Sequence, residues 1–152
     1  MDTVLELGSI VSDQYLILPA GFTQIECDAT KEQVSFFFSK LATETNPING
    51  KAYMMQNDID ELIEKNFLLF GKNPSGKYFD INLTLRQKGL LRCFVFEFYE
   101  KYEASRIGTK MKYVNFLRWN FELFKNDDPA TLNGNMNHSK KPSPTNRISN
   151  GK

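Results

Sequence analysis

A group of basic and amide side chains in the second half of the chain has the types and spacing that suit contact with a polyanion. Lysine and arginine neutralise phosphates, and arginine and glutamine also donate hydrogen bonds to base edges. The candidate nucleic-acid-binding residues are Arg86, Gln87, Lys88, Arg92, Lys110 and Lys112. This pattern predicts DNA or RNA binding through the basic half of the chain, although many basic surfaces of this kind bind nothing.

Three of these residues, Arg86, Lys88 and Arg92, surround the start of a predicted helix. Positive charge at that position opposes the helix dipole by about 0.3–1 kcal/mol per charge, so a nearby anion is needed. A phosphate would supply it. The carboxylate of Glu61 or Glu64, from the acidic half of the chain, would supply it equally well, and the sequence leaves both alternatives open.

Enzymatic chemistry has no recognisable set of residues in this chain. The single histidine, His138, lies in a polar C-terminal segment and is therefore a poor candidate for a general base. Cys27 and Cys93 are far apart and form no metal-ligand or redox motif. Four acids between residues 58 and 64 lack the loop spacing of a cation site and are typical of a solvated helix face. We therefore expect a non-enzymatic protein without cofactor or metal.

Charge is distributed unevenly along the chain. Residues 1–71 contain 11 acidic and 4 basic residues, a net charge of −7, whereas residues 72–152 contain 15 basic and 7 acidic residues, a net charge of +8. This asymmetry favours a polyanion contact made by the second half. The alternative is that the two halves attract each other within the fold.

Length and composition are those of one domain with its own hydrophobic core. The chain has 152 residues, of which 41% are hydrophobic and 13% aromatic. The N-terminus carries acids where a signal peptide has positive charge, and its longest apolar stretch, residues 15–20, is too short to cross a bilayer. We expect a cytoplasmic protein without membrane contact.

Apolar periodicity predicts a mainly α protein, a small helical domain over residues 28–125 that follows an irregular lead-in over residues 1–27. The spacing predicts helices from about Thr30 to Thr43, from Asn57 to Gly71, from Lys88 to Glu103 and from Lys110 to Lys125. Thr30 and Gln33 form a capping-box pattern at the start of the first helix. Asn57 and Asp60 suggest a similar cap for the second.

Two segments fall outside this helical pattern. Apolar and polar residues alternate from Phe79 to Arg86, which favours one short strand or hairpin, although a helical face also fits residues 78–85. From Asn126 onward Asn, Ser, Pro, Lys and Gly replace the large apolar residues. Such a composition buries too little surface to offset chain entropy, so residues 126–152 are predicted to be a disordered tail.

Residues 34–103 resemble the C-terminal region of the RteC family, regulatory proteins of Bacteroides mobile elements. The matching positions are Asn49-Gly50-Lys51-Ala52, then Ile59, Leu62, Ile63, Glu64 and Phe67, then Tyr78, Ile81, Arg86, Lys88, Phe94 and Phe98. The resemblance implies a winged-helix-like DNA-binding domain, with residues 86–92 near the DNA. The chain departs from the family pattern at Gln87 and Gly89, within the basic run, and in the added helix around Trp119.

A second hypothesis needs no nucleic acid. The chain contains 13 phenylalanines, and any of them not used in the core would be available for a protein partner or for self-association. The protein would then be a helical protein-protein interaction module or a homodimer.

Overall fold

The computed structural model describes residues 17–103 and 108–148, and these form a mainly helical domain, as the sequence predicts. Helix bounds are α1 Lys31–Phe38, α2 Lys40–Thr43, α3 Gln56–Asn66, α4 Lys88–Tyr102, α5 Lys110–Asn120 and α6 Pro129–Asn135. Short 3₁₀ turns occupy Leu68–Phe70, Leu85–Gln87, Glu122–Phe124, His138–Lys140 and Pro144–Asn146. Of the predicted lead-in, residues 1–16 lie outside the described residues, and residues 17–27 contain no helix.

The first predicted helix begins as the sequence indicates and divides near its end. The Thr30 side chain accepts from the backbone N–H of Gln33 at 3.1 Å, and the Gln33 side chain accepts from the Thr30 N–H at 2.9 Å, which confirms the capping box. Ser39 separates α1 from α2. In α3 the predicted cap is wrong, because Met55 occupies the N-cap position and Asn57 lies inside the helix.

Aromatic side chains from α1, α4 and α5 meet in the centre of the domain. The ring centroid of Phe38 lies 5.1 Å from that of Phe98 and 5.7 Å from that of Phe116, and Phe67 closes the cluster at 5.8 Å from Phe38. All four side chains are fully buried. Burial of a side chain this large stabilises the folded state by roughly 2–3 kcal/mol, so this cluster fixes how the three helices pack.

The predicted strand does not form. Within the described residues the only β pairings are isolated bridges, Ile25 with Phe67 and Thr45 with Ala52, so they contain neither a hairpin nor the wing of a winged-helix domain. The segment before α4, residues 71–84, has no regular secondary structure and pairs with no strand. Its backbone instead donates from Phe79 N to Asn120 O at 2.8 Å and from Asn82 N to Tyr53 O at 2.8 Å. Phe79 is buried and the adjacent Asp80 is exposed, but burial does not alternate farther along the segment, since residues 81–83 are all half-buried and Leu85 is exposed.

The predicted disordered tail is also corrected over residues 126–148. Asp128 caps α6 by accepting from Thr131 N at 2.9 Å, and Pro129 takes the first helical position. The large apolar side chains of this segment are buried in the core, since Leu132, Met136 and Ile148 are no more than 2% exposed. Composition alone therefore underestimated how well these side chains are placed. Residues 149–152 of the predicted tail lie outside the described residues.

Ion pairs add to the attachment of this C-terminal segment along α4. Lys141 Nζ lies 2.7 Å from Glu100 and 3.7 Å from Glu97, and Arg147 lies 3.5 Å from Glu97. His138 contacts Glu100 as well. The basic C-terminal segment thus neutralises the acidic residues of α4, and these ion pairs lie within the second half of the chain and not between the two halves.

Candidate nucleic-acid interface

Three of the predicted binding residues come together at the N-terminal end of α4. Arg86, Lys88 and Arg92 line an open cleft of about 460 Å³, here named the α4 cleft, whose opposite wall is the start of α6. The remaining lining residues are Leu85, Gly89, Asp127, Asp128, Thr131, Leu132 and Asn135. The 3₁₀ turn Leu85–Gln87 runs directly into α4, so Arg86 precedes the helix while Lys88 and Arg92 belong to it.

Lys88 is neutralised inside the protein. Its Nζ lies 2.7 Å and 2.9 Å from the two carboxylate oxygens of Asp127, and 4.8 Å from the ring centroid of Phe124. Asp127 is therefore the anion that the start of α4 requires, rather than either acid considered from the sequence. Glu61 pairs instead with Lys77 at 3.1 Å.

Arg86 and Arg92 keep their charge available. Within residues 17–103 and 108–148 neither guanidinium forms an ion pair or a hydrogen bond with a protein group. Arg86 is exposed, and Arg92 is half-buried beside Gly89. A Cβ at Gly89 would lie only 3.3 Å from a terminal nitrogen of Arg92, so the absence of a side chain there gives the guanidinium room. Two arginines and the partial positive charge of a helix N-terminus share one cleft.

Gln87 has a structural role instead of facing the cleft. Its side chain exchanges two hydrogen bonds with Asn46, each 2.9 Å long, and its Oε1 also accepts from Thr84 N at 3.0 Å. Asn46 is 1% exposed and donates to Asn82 O at 2.8 Å. These contacts hold the Gln87 side chain against Asn46, so Gln87 anchors the approach to α4 and does not line the cleft.

Lys110 and Lys112 lie away from the α4 cleft. Lys110 Nζ sits 5.4 Å from the ring centroid of Phe96, and partial burial lowers the pKa of this lysine. Lys112 Nζ donates to Glu26 O at 3.2 Å and lies 4.0 Å from the buried carboxylate of Glu103. Both contacts are with parts of the protein other than the residues that line the cleft.

Two acidic residues of this cleft were not among the candidate residues predicted from the sequence. Asp127 and Asp128 stand there beside the arginines, and Arg118 donates from Nε to Asp127 O at 3.0 Å. The signal that would have located them is Asp128-Pro129, an N-cap residue followed by proline at the first helical position.

The part of the chain that the structure describes shows neither a membrane-spanning helix nor a cluster of metal-binding side chains. None of the helices found there is both long and apolar enough to cross a bilayer. The same residues contain no cluster of His, Cys, Asp and Glu side chains suited to a metal ion. Comparisons with protein families, curated proteins and solved structures found nothing similar to this chain.

Proposed function

We propose that this protein binds nucleic acid, with DNA as the principal target, through Arg86 and Arg92 in the α4 cleft. The observation that carries the proposal is the pair of arginines without an acidic partner, among the described residues, beside the N-terminus of α4. The three lysines of the predicted set, Lys88, Lys110 and Lys112, each contact another group of the protein, so we restrict the proposal to the two arginines of this cleft. Arginine forms two parallel hydrogen bonds with a phosphate, and backbone N–H groups at a helix start add to the attraction.

The proposal assigns the arginines a positioning role on the sugar-phosphate backbone. Phosphate contacts fix the register of a protein on a duplex and carry affinity without sequence information. Because Gln87 is held by Asn46 and does not line the cleft, its side chain is not a candidate for base recognition there. We therefore propose binding with little sequence preference at this cleft.

In biological terms we propose a non-enzymatic regulatory role on a bacterial mobile element, in the cytoplasm. This part of the proposal rests on the resemblance of residues 34–103 to the RteC family. A reducing compartment suits the two thiols, since neither Cys27 nor Cys93 forms a disulfide. Burial raises the pKa of Cys93 to about 12, which disfavours its reactive thiolate.

The test is fluorescence anisotropy of the full chain with labelled duplex and single-stranded DNA at about 50 and 200 mM salt, a range in which phosphate-driven binding weakens markedly. We expect Arg86→Ala/Arg92→Ala to weaken binding by about tenfold or more and to reduce the salt dependence by about two ion contacts. The matched control is Lys31→Ala/Lys72→Ala, which removes the same net charge from exposed positions outside the cleft. Absence of binding at low salt, or equal losses in the two variants, would overturn the proposal.

A further inference from the structure

A second surface of the molecule has features that the nucleic-acid proposal does not use. The approach to α3, residues 52–55, and residues 80–82 enclose an open groove of about 480 Å³, here named the apolar groove. Tyr53 and Met54 form a buried floor at 4% exposure each, whereas Met55 is 72% exposed at the rim. Ile81 lines the other side. The groove is thus an apolar trough whose most prominent side chain is an exposed methionine, a residue that adapts readily to different partners.

The rim of the groove formed by residues 80–82 has backbone donors that the protein leaves unused. Neighbouring amides are engaged, since Phe79 N donates to Asn120 O and Asn82 N donates to Tyr53 O. Among the described residues no acceptor is hydrogen-bonded to the backbone N–H of Asp80 or of Ile81. Because Leu83 N donates to Ile81 O at 2.9 Å, the chain turns at Asn82, so this rim offers single N–H donors to a bound peptide and not a continuous strand edge.

Charge at the rim selects the kind of chain that would fit. The carboxylates of Asp58 and Asp80 line the groove, and neither forms an ion pair within the described residues. Lys51 is the one base among the lining residues, which leaves an excess of negative charge. A partner with a lysine or arginine next to an apolar side chain therefore complements both the trough and its rim, whereas a nucleic acid does not.

We propose that the apolar groove binds an extended peptide segment of a partner protein, one that carries an apolar side chain next to a basic one. One backbone carbonyl of the peptide accepts a hydrogen bond from Asp80 N or from Ile81 N, and not from both, because the N–H groups of consecutive residues point in opposite directions. The apolar side chain enters between Met55 and Ile81, and the basic side chain lies between the carboxylates of Asp58 and Asp80. This inference is independent of the α4 cleft and stands whether or not the protein binds DNA.

The first experiment selects binders from a display library of random short peptides with the full chain as bait. We expect enrichment of sequences in which Lys or Arg is adjacent to Leu, Ile, Val or Met. A synthetic peptide of the enriched sequence is then titrated into ¹⁵N-labelled protein. Saturable shifts centred on the amides of Asp80 and Ile81 support the proposal, and shifts centred elsewhere overturn it.

Variants of exposed rim residues distinguish binding in this groove from nonspecific hydrophobic binding. We expect Met55→Glu and Asp80→Lys each to lower the affinity for the peptide by about tenfold or more, which is about 1.4 kcal/mol of binding free energy. The matched control is Leu68→Glu, since Leu68 is another exposed apolar residue and does not line the groove. An equal loss of affinity in the control, enrichment of acidic peptides, or no enrichment at all would overturn the proposal. Amide shifts that appear on concentrating the protein alone would also overturn it, because they would identify a second copy of the chain as the occupant. Thermal melts of each variant verify that the fold is retained.

Discussion

The side chains of Asn66 and Asn120 form a reciprocal pair in which each Nδ2 donates to the Oδ1 of the other at 2.9 Å. Both residues are buried, and each amide also donates to a carbonyl of its own helix, Leu62 O or Phe116 O. The backbone carbonyl of Asn120 accepts from Phe79 N as well. The side-chain pair therefore joins the last residues of α3 and α5, and the Asn120 carbonyl joins this end of α5 to the segment that precedes α4.

We expect the losses in the free energy of unfolding of the two single variants to add up to more than the loss of the double variant. Asn66→Ala or Asn120→Ala leaves a buried amide without its partner, a loss of about 1–3 kcal/mol in the free energy of unfolding. The double variant leaves neither amide unsatisfied, so its cost falls below the sum of the two by about 1 kcal/mol or more. Urea denaturation of the four proteins measures this coupling. Asn57→Ala, at an exposed position of α3, is the control and should change stability by less than about 0.5 kcal/mol. Additive losses would contradict the pairing.

Lys65 predicts a specific dependence of stability on pH. Its Nζ donates to Lys77 O at 2.6 Å and to Trp119 O at 3.4 Å, near the rings of Phe22 and Phe79. Burial, aided by the charge of Lys77, lowers the pKa of Lys65 to about 8. Because the unfolded chain then binds this proton more tightly than the folded one, the Lys65 contribution makes the protein more stable as pH rises from about 8 to the unfolded value near 10.5.

The measurement is the free energy of unfolding of wild type and Lys65→Met at several pH values. The difference between the two proteins isolates Lys65 from other groups that titrate in the same range. We expect it to change by about 2 kcal/mol in favour of the wild type between about pH 7.5 and pH 10. A difference that does not vary with pH would show that Lys65 is solvated and charged in the folded protein.

The sequence predicts the helices well because their signals are local. The Thr30 and Gln33 cap depends on residues three apart, and the apolar spacing of α4 is visible within the helix itself. The position of Phe79 is different, because its neighbours are Asn120 and Lys65, at the ends of α5 and α3, rather than a strand. Alternation of apolar and polar residues reports that one side of a segment is buried, and it does not report what buries it.

The candidate site is only partly predictable for the same reason. Arg86, Lys88 and Arg92 meet because a helix start brings them together, which the sequence indicates. The pairing of Lys88 with Asp127 and that of Gln87 with Asn46 join residues about 40 positions apart in the chain. Such partners depend on packing, so the occupied and the available members of a basic run cannot be distinguished before the fold is known.

The ordered C-terminal segment can be tested by a single core substitution. Leu132 is 2% exposed in α6, so Leu132→Ala should destabilise the protein by about 2–4 kcal/mol through lost burial and a residual cavity. A disordered segment would show no such loss. Leu85→Ala, at a leucine that is 71% exposed, is the matched control and should cost less than about 0.5 kcal/mol. Chemical denaturation of both variants therefore distinguishes the ordered segment of the structure from the disordered tail that the composition predicts.

Asp127 predicts a gain of affinity if the α4 cleft binds nucleic acid. Its carboxylate neutralises Lys88 within the cleft, so Asp127→Asn adds one available positive charge next to Arg86 and Arg92. We expect DNA affinity to rise several-fold at low salt, and the salt dependence to increase by about one ion contact. The cost in stability is about 1 kcal/mol or less, because the ion pair is partly exposed and Arg118 still donates to the Asp127 backbone carbonyl.

The control for this gain is Glu122→Gln. It makes the same change in net charge at an exposed residue whose ion-pair partner is Lys125, and neither residue lines the cleft. Anisotropy titrations of both variants with the same duplex compare a local with a general effect of charge. A gain confined to Asp127→Asn places the DNA contact at the α4 cleft, because only there is a phosphate-binding cation released. Equal gains in both variants would mean that net charge alone drives the binding, and the cleft would then have no special part in it.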